Sequence, residues 1–185
     1  MTVTLVRHQF TVQQYHQMAD AGILTENDRV ELIRGEIINM SPIIPKHSGC
    51  VIFFTNLLVL ILQKLAIVSV HNPVVLNEIS EPQPDIALLK PRADFYRNSH
   101  PQPEDIFLLI EVADTTVKYD REVKISLYAE ANIPEVWLVD VNQEVIEVYR
   151  NPIDGIYQDV KNLGKNQVLS ILAFPDVNIN VSEIF

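Results

Sequence analysis

The chain has 185 residues, 48% of them hydrophobic, and a formal net charge of −10, which suits one globular domain spanning residues 1–185 with a sizeable core. That charge argues against strong non-specific nucleic-acid binding, which needs a basic face, while leaving room for acidic metal ligands. One cysteine, Cys50, excludes an internal disulfide, and the amino-terminal "MTVTLVRHQF" lacks the apolar core of a secretory signal, so a cytoplasmic protein is expected.

Thr11 is placed to cap a short helix over residues 11–20 that ends near Gly22. "DRVELIRGEIINM", residues 28–40, alternates on either side of Arg34-Gly35 and reads as a hairpin. Residues 46–65 form a helix that is apolar nearly all round, so it must be covered on more than one side, and a homodimer is the natural cover. Its greasiest window, residues 50–62, includes Thr55 and Asn56 and falls short of the roughly 18 apolar residues of a membrane span. No membrane association is expected.

Three short strands are predicted next, at residues 66–71, 74–79 and 85–90. A proline-rich loop with a helical turn, residues 91–104, leads into the strand "IFLLIEVA", residues 106–113. Residues 118–133 form an amphipathic helix with Val123, Leu127 and Ala131 on one side. Pro134 ends it, and the wholly apolar strand 135–140 follows at once. The tail alternates at residues 144–150, 155–161 and 168–174, an antiparallel meander. Strand 106–113, helix 118–133 and strand 135–140 make a β-α-β unit whose strands are apolar enough to be buried on both faces. The fold class is α/β, with a mixed central β-sheet flanked by helices.

Glu111 interrupts one of those apolar strands. A carboxylate there is costly unless it is paired, hydrogen-bonded or bound to a metal. Asp85 follows Pro84 at the mouth of another strand. The next helix carries Lys124 beside its core stripe, Tyr128 one turn later and Arg121 three residues earlier on that side. If the two strands are neighbours, two carboxylates, a lysine and a phenol converge at one sheet edge. Two carboxylates with a strand carbonyl, that of Val112, would bind Mg²⁺ or Mn²⁺, and a nearby ammonium would orient a water for attack on phosphorus. Taken singly, Asp85 reads as a turn cap, Glu111 as half of a structural ion pair and Lys124 as a solvated lysine; the combination favours chemistry. Five histidines (His8, His16, His47, His71 and His100) show no zinc-like spacing. No glycine-rich phosphate loop is present, and Ser48 and Ser126 lack a nucleophile-elbow context.

"RVELIRGEIINMSP", "PQPDIALL", "PEDIFLLIEVADTT", "YDREVKISLYAEANIPEVWLVD" and "EVIEVYR" resemble successive blocks of the Uma-type restriction-endonuclease family, a large family of unassigned function in the PD-(D/E)XK nuclease superfamily. The resemblance runs from about residue 9 to about residue 175. It implies a restriction-endonuclease-like core in which Asp85 is the first acid and Glu111 the second. Ala113 stands where the superfamily's usual lysine is expected, and Lys124 in "DREVK" occupies the place of the family's replacement. Glu31 matches an acidic position taken as a further site ligand. One departure is "ADTT" after "EV", where the family commonly has a Ser-Pro-Ser-Thr-like turn. The resemblance therefore implies a metal-dependent endonuclease that hydrolyses DNA phosphodiester bonds. In it Asp85 and Glu111 hold the ion, Lys124 positions the water, and Glu31 and Tyr128 assist. DNA as the partner comes from the resemblance alone. A non-catalytic dimeric module with the same fold, and a metal-dependent hydrolase of RNA or small phosphoesters, remain open as alternatives.

Overall fold

Thr11 closes the first helix, α1 (Val12–Asp20), with a capping box: its hydroxyl accepts the Gln14 N–H at 3.2 Å, and Gln14 Oε1 accepts the Thr11 N–H at 3.0 Å. The computed structural model describes residues 7–185, so most of the stretch read above for a secretory signal lies outside the described residues. Strands β1 (Val30–Ile33) and β2 (Glu36–Asn39) pair antiparallel. They turn at Arg34 and Gly35, whose φ values of 49° and 78° suit the tight hairpin turn. A side chain at position 35 would also meet Gln9 at 2.5 Å.

Helix α2 (Pro45–Leu62) opens on a proline, which lacks an N–H that the first turn could not use. Cys50, Val51, Phe54, Leu58 and Leu62 pack inward. Ile52, Val59 and Leu60 face out, at 60%, 53% and 71% exposure. With a mean hydropathy of 1.5 over its 18 residues, α2 has the length and apolarity of a membrane-crossing helix, contrary to the shortfall expected from its central window. Its inner face is nevertheless built into the core. Thr55 and Asn56, the polar residues in that window, bond back to the Val51 and Ile52 carbonyls at 2.7 and 2.8 Å.

Strands β3 (Ile67–Val70) and β4 (Ile86–Leu89) follow. Residues 74–79, expected to be a strand, do not form one. Asn77 Oδ1 accepts the Ile79 N–H at 2.9 Å and the Leu76 N–H turns back to the Ser80 carbonyl at 3.0 Å, so local bonds replace a ladder. Val74 and Leu76 are still buried; the alternation there marked burial rather than pairing. Strand β5 (Ile106–Ala113) leads into the helical segment α3. This segment runs through an α-turn (Val117–Tyr119), a π-turn (Asp120–Lys124) and an α-helix (Ile125–Glu130), and Asn132 then takes φ 58°. Strands β6 (Glu135–Asp140), β7 (Val145–Ile153) and β8 (Ile156–Leu163) complete the sheet. Residues 168–174, read as one strand of the meander, instead turn at Leu172 and Ala173. They separate β9 (Val168–Ile171) from β10 (Phe174–Asn180), a hairpin outside the main sheet.

The central sheet has the order β3-β4-β5-β6-β7-β8, and only β5 and β6 run parallel. On one face α2 and the β9–β10 hairpin pack over Trp137, Val139 and Leu108; on the other, Leu127 and Tyr128 of α3 cover Leu109, Val136 and Leu138. Full burial of each large side chain such as Trp137 contributes about 1.5–3 kcal/mol relative to exposure. Glu135, wholly buried, ties the hairpin to the sheet: it accepts from Trp137 Nε1 at 2.9 Å, Arg150 Nε at 2.7 Å and the Leu172 N–H at 2.7 Å. The result is a mixed α/β fold in which the start of β4 and the end of β5 meet at the same end of the sheet, beside α3.

Candidate active site

Ile86 of β4 lies opposite Ile110 of β5, so Asp85 stands one step further along, beside Glu111. Asp85 Oδ2 accepts the Val112 N–H at 2.7 Å. An extended residue presents its N–H and C=O to the same neighbour, so the Val112 carbonyl faces the same side, beyond the first residue of β4. Two imidazoles complete this corner. Val70 pairs with Ile86, which brings the next residue, His71, against Asp85; His47 reaches it from the first turn of α2. Both Nε2 atoms lie 3.1 Å from Asp85 Oδ1, and the rings stack at 6.2 Å. Burial alone would raise the Asp85 carboxyl, but hydrogen bonds from His47, His71 and Val112 hold it well below the usual carboxylate range. His47 Nδ1 is buried with no hydrogen-bond partner among the described residues.

Glu111 faces α3 and is 3% exposed, and Lys124 is 5% exposed. Lys124 Nζ lies 3.2 Å from Glu111 Oε1 and 3.2 Å from Glu31 Oε2. The Tyr128 O–H donates to Glu111 Oε1 at 2.5 Å, and Glu31 Oε2 also accepts the Gln83 N–H at 3.1 Å. The hairpin that carries Glu31 is fastened to α3 by Arg34, which donates to Ser126 Oγ at 2.9 Å and Glu130 Oε1 at 2.7 Å. Burial is the main force that pushes the Glu111 carboxyl up to about 8, with the nearby Asp85 and Asp120 charges adding to it against Lys124 and Tyr128. Burial would neutralise Lys124, but the carboxylates of Glu111 and Glu31 outweigh it and hold the ammonium charged.

Sequence reasoning missed Asp120, although it stands four residues before Lys124 and so on the same helix face; both are buried, at 6% and 5% exposure, within the π-turn. Arg121 behaves oppositely: read as lying on the Lys124 side, it turns away and forms an ion pair with Glu147 of β7.

Asp85, Glu111, Val112, Lys124 and Glu31 thus line one open cleft of about 860 Å³, together with His47, His71 and Asp120. Tyr128 lies behind Glu111, wholly buried. His47 and His71, set aside with the other histidines on their spacing, belong to this corner. Pairing strand 66–71 with strand 85–90 would have brought His71 into it; nothing local marks His47, which arrives through the packing of α2. The donor set fits a divalent cation. Two carboxylates, a free strand carbonyl and two imidazoles converge, while a single ammonium balances Glu111 and Glu31. A dication would add positive charge beside the Glu111 carboxyl, which burial pushes up.

A family profile described as "Uma2: Putative restriction endonuclease" matches residues 12–182. The chain belongs to the Uma2 family. Its fold resembles the crystal structure of a "putative nuclease belonging to DUF820" from Anabaena variabilis ATCC 29413. The TM-score is 0.74, with 95% of this chain and 97% of that chain covered at 16% sequence identity. No curated protein matches this Uma2 chain. The family description points to a restriction-endonuclease-like nuclease.

Proposed function

We propose that this chain is a divalent-metal-dependent endonuclease that hydrolyses DNA phosphodiester bonds, with Asp85, Glu111 and the Val112 carbonyl holding Mg²⁺ or Mn²⁺. The observation that carries this reading is one buried ammonium, Lys124, 3.2 Å from both Glu111 and Glu31, on the same cleft wall as Asp85. Oxygen donors of this kind suit hard dications. When bound, the ion would offset charge on the phosphoryl oxygens and lower the pKa of a water. Lys124, held charged, can only donate. It holds the attacking water by an N–H and steadies the negative charge that grows on the phosphoryl oxygens. Glu31 keeps that ammonium aimed, the Tyr128 O–H fixes the Glu111 carboxylate, and His47 with His71 orients Asp85.

The cleft rim carries Glu26, Asp28 and Asp114, so a polyanion would bind there weakly without the cation. This rim and the net charge of −10 favour, as a second reading, RNA or small phosphoesters over long duplex DNA. Retention of the whole charged set argues against an inert module. The same reading takes residues 1–185 as one domain and seats a second copy on the outward face of α2, where Ile52, Val59 and Leu60 are exposed. An apolar stripe of this kind can pair with itself about a two-fold axis. The test is incubation of supercoiled plasmid with the protein and Mg²⁺ or Mn²⁺, beside Glu111→Ala and Lys124→Ala. Cleavage is expected from the parent and lost from both variants; cleavage that survives both substitutions would overturn the assignment.

A further inference from the structure

We infer that His16, Glu81 and His100 form a second metal site, for a transition-metal dication such as Zn²⁺, that fastens α1 and the 91–102 loop to the β1–β2 hairpin. The site shares no residue with the cleft, and it stands or falls independently of nuclease activity. Glu81 is joined backbone to backbone with Leu32 of β1, accepting its N–H at 3.3 Å and donating to its carbonyl at 2.7 Å. Its side chain is buried, at 4% exposure. Among the described residues no lysine or arginine reaches that carboxylate; its one hydrogen-bond partner is His16 Nε2, 2.8 and 3.0 Å from its two oxygens. A buried carboxylate whose one side-chain partner is an imidazole has no permanent cation beside it. His100 comes in from the loop, its ring centroid 6.1 Å from that of His16.

One ligand atom from each of the three residues falls in a set whose members all lie within 4.8 Å of one another. Tetrahedral zinc with bonds of about 2.0–2.2 Å holds its ligand atoms about 3.4 Å apart. Small movements of the two exposed histidines bridge that difference, and a water takes the remaining position. Two imidazoles and one carboxylate favour Zn²⁺, Co²⁺ or Ni²⁺ over Mg²⁺. The local structure supplies a reason for the clip. Helix α1 has no buried residue and is held chiefly by the Tyr15 O–H on the Val30 carbonyl at 3.0 Å and the Val12 N–H on the Glu78 carbonyl at 2.8 Å. The loop meets the body through the Pro101 carbonyl, which accepts the Val75 N–H at 2.9 Å. Both segments gain a fixed anchor on Glu81 when the ion binds.

The test uses the full chain stripped with a chelator and titrated with Co²⁺ by absorption and with Zn²⁺ by calorimetry. Parent, Asp85→Asn and the His16→Gln/His100→Gln double variant are compared. The two histidines are exposed, and Gln at position 16 can still donate an amide N–H to the buried Glu81 carboxylate that His16 serves, so the double variant should fold. Loss of even an outer partner of a metal ligand costs 10–100-fold in affinity, so removing two direct ligands should weaken this site by more than about 100-fold. The double variant is therefore expected to bind one ion fewer than the parent, while Asp85→Asn keeps that ion and still gains thermal stability with Zn²⁺. Equal ion counts in the parent and the double variant would overturn the proposal and leave His16 and Glu81 as a plain hydrogen-bonded pair.

Discussion

Lys124 Nζ and Glu111 Oε1 stand 3.2 Å apart, both side chains buried, and the same ammonium is 3.2 Å from Glu31 Oε2. Removing the cation leaves two buried carboxylates facing each other. Lys124→Ala should therefore lower the cleavage rate by about 100-fold or more. It should also lower folding stability by about 3–5 kcal/mol, the usual cost of breaking a buried pair from one side. Single-turnover cleavage and urea unfolding of the same preparation separate the two effects.

Tyr128→Phe removes the O–H that Glu111 Oε1 accepts at 2.5 Å while keeping the ring in the core. Above about pH 8, where Glu111 is ionised, the expected loss is about 1.5–3 kcal/mol, the range for a hydrogen bond to a charged group. It is read as a lower urea midpoint with unchanged slope.

Glu135 gathers donors from Trp137, Arg150 and the Leu172 backbone in a site closed to solvent. Glu135→Ala strands the Arg150 guanidinium and frees the turn between β9 and β10. A stability loss of about 3–5 kcal/mol is expected, with faster amide exchange at Leu172. Unchanged exchange there would show that Glu135 does not anchor the hairpin.

Glu147 sets a pH dependence. Burial alone would raise its carboxyl, but hydrogen bonds from Arg121 and Tyr149 hold it below the ordinary carboxylate value. The folded chain then binds fewer protons at this group than the unfolded chain does. Its stabilisation is present above the unfolded value of about 4.3 and is lost as pH falls through the folded value. The parent's denaturant midpoint should drop on acidification below about pH 4.3, and Glu147→Gln should flatten part of that limb.

Much of this arrangement was legible in the residues. Apolar runs marked β4, β5 and β6, and a carboxylate inside one of them pointed to Glu111; helical spacing put Lys124 beside the core stripe of the next helix, with Tyr128 one turn later on the same face. What stayed hidden depended on contacts far along the chain or on departures from regular geometry. His47 reaches Asp85 only because α2 packs across the sheet, whereas Asp120, four residues before Lys124 on one helix face, was open to the same spacing argument. Residues 74–79 alternate because Val74 and Leu76 are buried, yet the Asn77 side chain offers the backbone a turn in place of a ladder. The outward face of α2 was visible as excess apolarity from the start, and light scattering at micromolar protein checks its reading. A dimer mass that falls to the monomer value with Leu60→Lys is expected, and a monomer mass for the parent would contradict it.

The most direct measurement of the central claim is the metal dependence of plasmid cleavage by the parent and by Asp85→Asn. Cleavage by the parent should rise with Mg²⁺ or Mn²⁺, stop with a chelator and return when the ion is restored, while Asp85→Asn should remain inactive at every ion concentration. Cleavage unaffected by the chelator, or equal in the two proteins, would contradict a metal centre built on Asp85 and Glu111.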